Sequence, residues 1–206
     1  MTLVYRVPGG LISNPQDMTD PSSPPGPATP GGLKLKWLAD RHSAFLFGRP
    51  GGQRGDARKQ NFRGATIEGG NLSSAILSGS AFADGKLLDC DFSMADLFAA
   101  DFSGCDLSRS TFRKADLRAA SFIRAKLRGC DLSGCDLRPG QIVDWATMNA
   151  DAKEVSANFE QAELDNANMA SSDMSFANFE NASMKGIQLA GATLFGRMFS
   201  HKGLPG

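Results

Sequence analysis

The chain has 206 residues, 22 Lys and Arg against 22 Asp and Glu, 41% hydrophobic and 8% aromatic residues, a size that suits one domain or two small ones. Zero formal charge argues against a surface that coats nucleic acid through a net basic field, and equally against a wholly acidic mimic of DNA. No apolar run reaches the length of a membrane span, and the start MTLVYRVPGG lacks the basic and apolar regions of an export signal. The expected location is therefore the cytoplasm, unless a specialised secretion system reads some other signal.

The charges are unevenly placed. Residues 1–59 carry eight basic and four acidic groups, 60–142 ten and ten, and 143–206 four and eight, so the three segments read +4, 0 and −4. Such polarity would orient a partner along a rod; an imbalance of this size also arises by chance.

In chain order, residues 1–32 read as a flexible arm and linker. Leu3 to Val7 have strand character but are too short to fold alone, and 13–32 contain Pro15, Pro21, Pro24, Pro25, Pro27 and Pro30 with almost nothing apolar. Residues 33–59 follow with Leu33, Leu35, Trp37, Leu38, Phe45, Leu46 and Phe47. They are expected to cap a solenoid, whose first rung would otherwise expose unpaired strand edges. The alternative is a separate binding element, with Trp37 and Phe47 as contacts.

From residue 60 to 142 a large apolar side chain falls on every fifth position, seventeen times without exception: Phe62, Ile67, Leu72, Leu77, Phe82, Leu87, Phe92, Leu97, Phe102, Leu107, Phe112, Leu117, Phe122, Leu127, Leu132, Leu137, Ile142. Two residues earlier stands a small one, with Gln60 a clear departure, and Asp or Asn recurs between the two. A period of five is neither 3.6 nor 2.0, so the chain is neither an amphipathic helix nor an ordinary strand and turns a corner every five residues. The phenylalanines add a second period. With four pentapeptides per turn, Phe62, Phe82, Phe102 and Phe122 stack on one wall with Ile142 next, and Phe92 and Phe112 stack on the opposite wall.

The tandem motif in Ala95-Asp96-Leu97, Cys105-Asp106-Leu107, Ala115-Asp116-Leu117 and Cys130-Asp131-Leu132 resembles the pentapeptide-repeat family over about residues 60–196. The resemblance implies an all-β fold, a right-handed four-sided parallel β-helix with the large and small residues inward. At ~4.8 Å per coil the rod would be ~30 Å long.

After Ile142 the register fails, and it resumes at Phe159 through Leu164, Met169, Met174, Phe179, Met184, Leu189 and Leu194. The spacing of 17 from 142 to 159 is three pentapeptides plus two residues, so 143–156 must bulge or loop before a second run over 157–196. Trp145 and Met148 make the bulge a first candidate for a partner contact, although Trp145 fits equally well tucked over the core. Residues 197–206 are expected to form a C-terminal cap or tail. With Phe195 they also suit a homodimer contact.

Little points to chemistry. Cys90, Cys105, Cys130 and Cys135 all occupy the small inward position, without a C-x-x-C pair, and packing accounts for each. His42 and His201 stand in opposite flanks with no nucleophile elbow, so no catalytic, metal or cofactor residue is expected. Stacking places Asp96, Asp116 and Asp136 in a column, either an acidic stripe or corner-stabilising hydrogen bonders. It also spreads a basic belt over 109–128, from which Arg109, Arg113, Arg118 and Arg128 are candidate contacts. The leading expectation is a non-catalytic interaction or scaffold module with a protein partner, no direct contact with nucleic acid and no membrane span. The family resemblance supplies a rival, since some members imitate duplex DNA and bind type II topoisomerases such as gyrase. A secreted effector or secretion-apparatus component is the third reading.

Overall fold

The computed structural model describes residues 31–143 and 152–196. Its repeating element is a corner. The amide of Ala65 donates to the Phe62 carbonyl at 3.0 Å across a turn whose third residue, Gly64, has φ +66°. A positive φ at that place is the type II signature. It recurs two residues after the large side chain at each corner from Lys59 to Gly134 and again from Gln161 to Gly196.

Four corners bring the chain back over itself. Parallel pairings link residues twenty apart, as in Asn71 with Asp91, Asp96 with Asp116 and Asp101 with Ser121. The Phe82 amide donates to the Asp101 carbonyl at 2.7 Å, and the Asp101 amide returns to the Ser80 carbonyl at 3.0 Å. Extended stretches are short because each wall ends at a turn; β1 (Thr66–Glu68) lies parallel to β2 (Lys86–Leu88) one coil away. The result is a right-handed, four-sided β-helix.

The core is the narrow interior of that coil. On the first wall Phe62, Phe82, Phe102, Phe122, Phe159 and Phe179 stack with centroid spacings of 4.7 to 5.2 Å. Phe92 and Phe112 stack at 5.0 Å on the opposite wall and meet the first column edge-on at 5.8 to 6.3 Å. Both geometries are favoured by the ring quadrupole, and they leave the rings water-free. Ile67, Leu87 and Leu107 belong to the second wall, and Leu77, Leu97, Leu117, Leu137 and Met174 to the fourth.

The second run corrects one expectation. Ile142 does not follow Phe122 on the first wall; Phe159 does, at 4.7 Å with rings 8° from parallel. Pairings across this point join residues 37 apart, Ser121 with Asn158 and Asp136 with Asp173, before reverting to twenty, Asn158 with Asn178. Seventeen residues are thus looped out of one corner after Leu137, and the coil continues in phase. Ile142 lies instead in a hairpin of β3 (Gly140–Ile142) antiparallel to β4 (Lys153–Val155). Trp145 and Met148 lie outside the described residues, as do 1–30 and 197–206.

At the other end, the helix α1 (Gly31–Leu46) covers the first rung. It begins two residues before the expected start of the cap. Leu35, Leu38, Ala39 and His42 are its buried positions, an i, i+3, i+4, i+7 stripe that makes one helix face. Gly31 permits the approach, since a Cβ there would sit 3.1 Å from the Phe62 Cα. The coil itself starts before residue 60. Asp56 pairs with Ile76, and Ala57 fills the large inward position beneath the helix.

Candidate interaction surface

The fourth wall carries the most organised polar surface. Asp96, Asp116, Asp136 and Asp173 precede its large residues and pair in a column. In each case Oδ1 accepts the amide of the residue two positions on, from Phe98, Arg118, Arg138 and Ser175, at 3.1 to 3.2 Å. These are Asx turns that fix the corners. The next column outward holds Phe98, Arg118, Arg138, Ser175 and Phe195. Arg118 grips Asp116 through two bonds of 2.9 and 2.7 Å and reaches Asp136 at 3.7 Å. Arg138 grips Asp136 at 2.9 and 2.8 Å and reaches Asp173 at 3.8 Å. The Arg138 side chain holds the Asp136 carboxyl below the ordinary carboxylate range against the opposing effect of burial, and Asp136 raises the Arg138 guanidinium in turn. Acid and base therefore alternate up this wall, and the aspartate column is not a bare row of negative charge.

The hairpin rises beside this column. Gly140 lies against the Phe98 ring and the Ala119 methyl, which leaves no room for a side chain and seats the hairpin's base on the wall. Arg118 also stands 5.6 Å above the Phe98 ring. Between hairpin and wall runs an open groove of about 510 Å³, lined by Arg118, Arg138, Pro139, Glu154, Ser175, Thr193 and two phenylalanines. Those two, Phe176 and Phe195, meet edge-on at 5.8 Å and are 48% and 66% exposed. Phe176 sits at a turn position, φ +61°, where it is the one aromatic among the described residues. A bulky side chain there is costly to its own backbone and contributes nothing to the core, which marks it as a surface feature.

The other expected contacts disperse. Arg109 is paired with Asp89 by two bonds of 2.8 and 2.5 Å, Arg113 with Asp131 at 3.8 Å and Arg128 with Glu163 at 2.8 Å. With Arg118 they occupy three walls, each facing an acid one coil away or nearer, so they form no single patch. Trp37 is half-buried against the core with Arg41 5.1 Å above its ring, while Phe47 is 62% exposed under Arg49. Arg138, Pro139 and Phe176 were not among the expected contacts, whereas Glu154 falls in the bulge that was. Phe176 carried a signal, a large ring where the repeat elsewhere places small, polar or flexible turn residues.

The buried groups serve structure. The thiols of Cys105, Cys130 and Cys135 donate to the carbonyls of Phe82, Leu107 and Phe112 at 2.8 to 3.0 Å, the same role that Ser110 performs toward Leu87. Burial pushes these thiols up to about 12, and Cys90 to about 11, which leaves them unreactive near neutrality. Fully buried His42 accepts the Gly55 amide on Nδ1 at 2.9 Å and donates from Nε2 to the Ser73 carbonyl at 2.6 Å. The imidazole pins the helix to the first coil.

A model of the pentapeptide repeats, eight copies, matches residues 75–113, 100–138 and 155–196. Among curated proteins nothing matches. Solved structures with similar folds include a pentapeptide repeat protein from the thylakoid lumen of Arabidopsis thaliana, 24% identical over 48% of this chain and 85% of that one, TM-score 0.37. HetL from Nostoc, involved in heterocyst differentiation regulation, is 19% identical over 74% and 92%, TM-score 0.31. QnrB1, a plasmid-mediated fluoroquinolone resistance protein, is 20% identical over 68% and 92%, TM-score 0.37. The stacked walls, the repeated turns and the matched segments agree: this chain belongs to the pentapeptide-repeat family.

Proposed function

We propose that the protein is a non-catalytic interaction module whose β-helix presents the groove beside the hairpin to a protein partner. The observation that carries this reading is the exposed Phe176 and Phe195 pair at the foot of the hairpin. Aromatic anchors in a groove with a polar rim are what protein interfaces use. Arg118 and Arg138 around them are held by Asp116, Asp136 and Asp173, so they set register rather than chemistry. Buried, unpaired thiols support a reducing compartment, the cytoplasm. The exposed Leu194 and Phe195 also suit a contact between two copies of the chain.

The experiment is capture from the source organism's lysate with the full chain and with a Phe176→Ser, Phe195→Ser variant, followed by binary titration of each specifically retained protein. The variant is expected to lose the specific partner while keeping its unfolding midpoint. Identical capture by both proteins would reject the groove. A DNA-like surface that binds type II topoisomerase is the rival, and Arg118 and Arg138 alongside the aspartate column weigh against it. Inhibition of gyrase supercoiling by the purified chain would restore it.

A further inference from the structure

At the helix-capped end of the rod, three consecutive large apolar side chains stand in solvent. Phe45, Leu46 and Phe47 are 48%, 38% and 62% exposed. Phe45 stacks on the buried His42 ring at 6.1 Å, and Leu46 and Phe47 lie past the inward stripe of α1. Beyond them the chain reverses at Gly48, φ +61°. The Arg49 amide returns to the Ala44 carbonyl at 2.8 Å, the Gly52 amide to Arg49 at 3.2 Å and the Gln53 amide to the Arg41 carbonyl at 3.1 Å. The reversal holds Arg49 at the apolar tip, while the Arg54 guanidinium turns to the coil and donates to the Ser74 carbonyl at 3.1 Å. The Arg49 guanidinium lies 5.1 Å above the Phe47 ring.

Charge accompanies the tip. Residues 31–59 contain seven Lys or Arg and two Asp, a net of +5 from 7 − 2. Both aspartates are already engaged, Asp40 by Lys36 at 3.0 Å and Asp56 by Arg58 at 2.7 Å. Phe45 and Leu46 close α1 about 100° apart and Phe47 follows into the reversal, so the three make a convex knob rather than a groove or flat face. A convex apolar tip beside Arg49, on a segment of net positive charge, complements a surface that is negative outside and hydrocarbon just beneath. That description fits an anionic lipid bilayer better than a protein, which would have to offer both an acidic rim and a pocket.

We propose that this end of the rod is a peripheral membrane anchor: Phe45, Leu46 and Phe47 enter the interface of an anionic bilayer while Arg49 meets its phosphates. The long axis of the coil would then project its hairpin groove away from the lipid. The proposal is independent of what the groove binds.

The test is flotation of the full chain with vesicles of phosphatidylcholine alone and of phosphatidylcholine mixed with phosphatidylglycerol. Binding is expected only to the mixed vesicles and should weaken as salt is raised. Arg49→Gln should reduce partitioning about fivefold, the equivalent of one charge at the surface. A Leu46→Ser, Phe47→Ser variant, altered only at exposed positions, should lose about tenfold or more while unfolding as the parent does. The proposal is overturned if neither vesicle binds, if both bind equally, or if the apolar variant floats like the parent. It is also overturned if sedimentation equilibrium without lipid shows a dimer that this variant abolishes, which would make the tip a contact between copies.

Discussion

The first rung of the coil lies under α1, and there Phe62, Ala65 and Leu72 are at most 2% exposed; the last described rung carries Leu189 and Ala192 half-buried and Leu194 40% exposed. The wall pattern is the same at both ends. Burial in a stacked coil therefore comes from what lies above and below each rung, and the inward position alone does not secure it. The helix supplies that cover at one end through four side chains, and the middle rungs obtain it from each other.

The sharpest way to break this comparison is to remove one ring from the middle. Phe102 touches Phe82 and Phe122 at 4.8 and 5.1 Å and Phe92 and Phe112 at 5.8 Å. Phe102→Ala should cost about 3–5 kcal/mol in urea unfolding, against less than ~1 kcal/mol for Leu194→Ala at the open end. Equal costs would show that position in the stack does not matter. Next comes the cover itself. His42→Ala strands the Gly55 amide and the Ser73 carbonyl and should cost about 1–3 kcal/mol, with hydrogen exchange rising first in the rung around Gly55 and Ser73.

Smaller effects probe the corners that both ends share. Gly129 has φ +64° and open space around its missing Cβ, so Gly129→Ala isolates the backbone cost and should lower stability by about 1 kcal/mol. Ala99, at φ +55°, should gain by up to about 1 kcal/mol on replacement with Gly. The smallest effect belongs to the surface ladder. The folded-state pKa of Asp136 is depressed, first by the Arg138 hydrogen bonds. Its contribution is thus complete above the ordinary carboxylate value of ~3.9 and is lost as pH falls through the lower folded value. In Asp136→Asn the acid limb of a stability against pH curve should be shallower, with little change in its slope at neutral pH.

The wall assignments were readable because large side chains repeat without interruption and Phe recurs at twenty. The turn conformation was not read: Gly64, Gly69, Gly79, Gly104, Gly129 and Gly134 all fall at the left-handed position, but the non-glycine residues between them hid the signal. Helix α1 was harder to read. Its paired N-terminal glycines are poor helix formers, and Leu33, Leu35 and Trp37 alternate like a strand, so packing against the first rung decides the outcome. Ile142 misled because an excursion of seventeen residues leaves its first members on the five-residue beat by coincidence. The groove was invisible for the same reason, because its two sides come from segments separated by that excursion and joined only in the folded coil.

The phase of the coil survives this excursion intact, with Phe159 as well stacked on Phe122 as Phe122 is on Phe102. A solenoid that can open one corner and close again without a slip tolerates inserted length at that corner. Variation there would be read by selection, or by a protein engineer, as a change of cargo on an unaltered chassis.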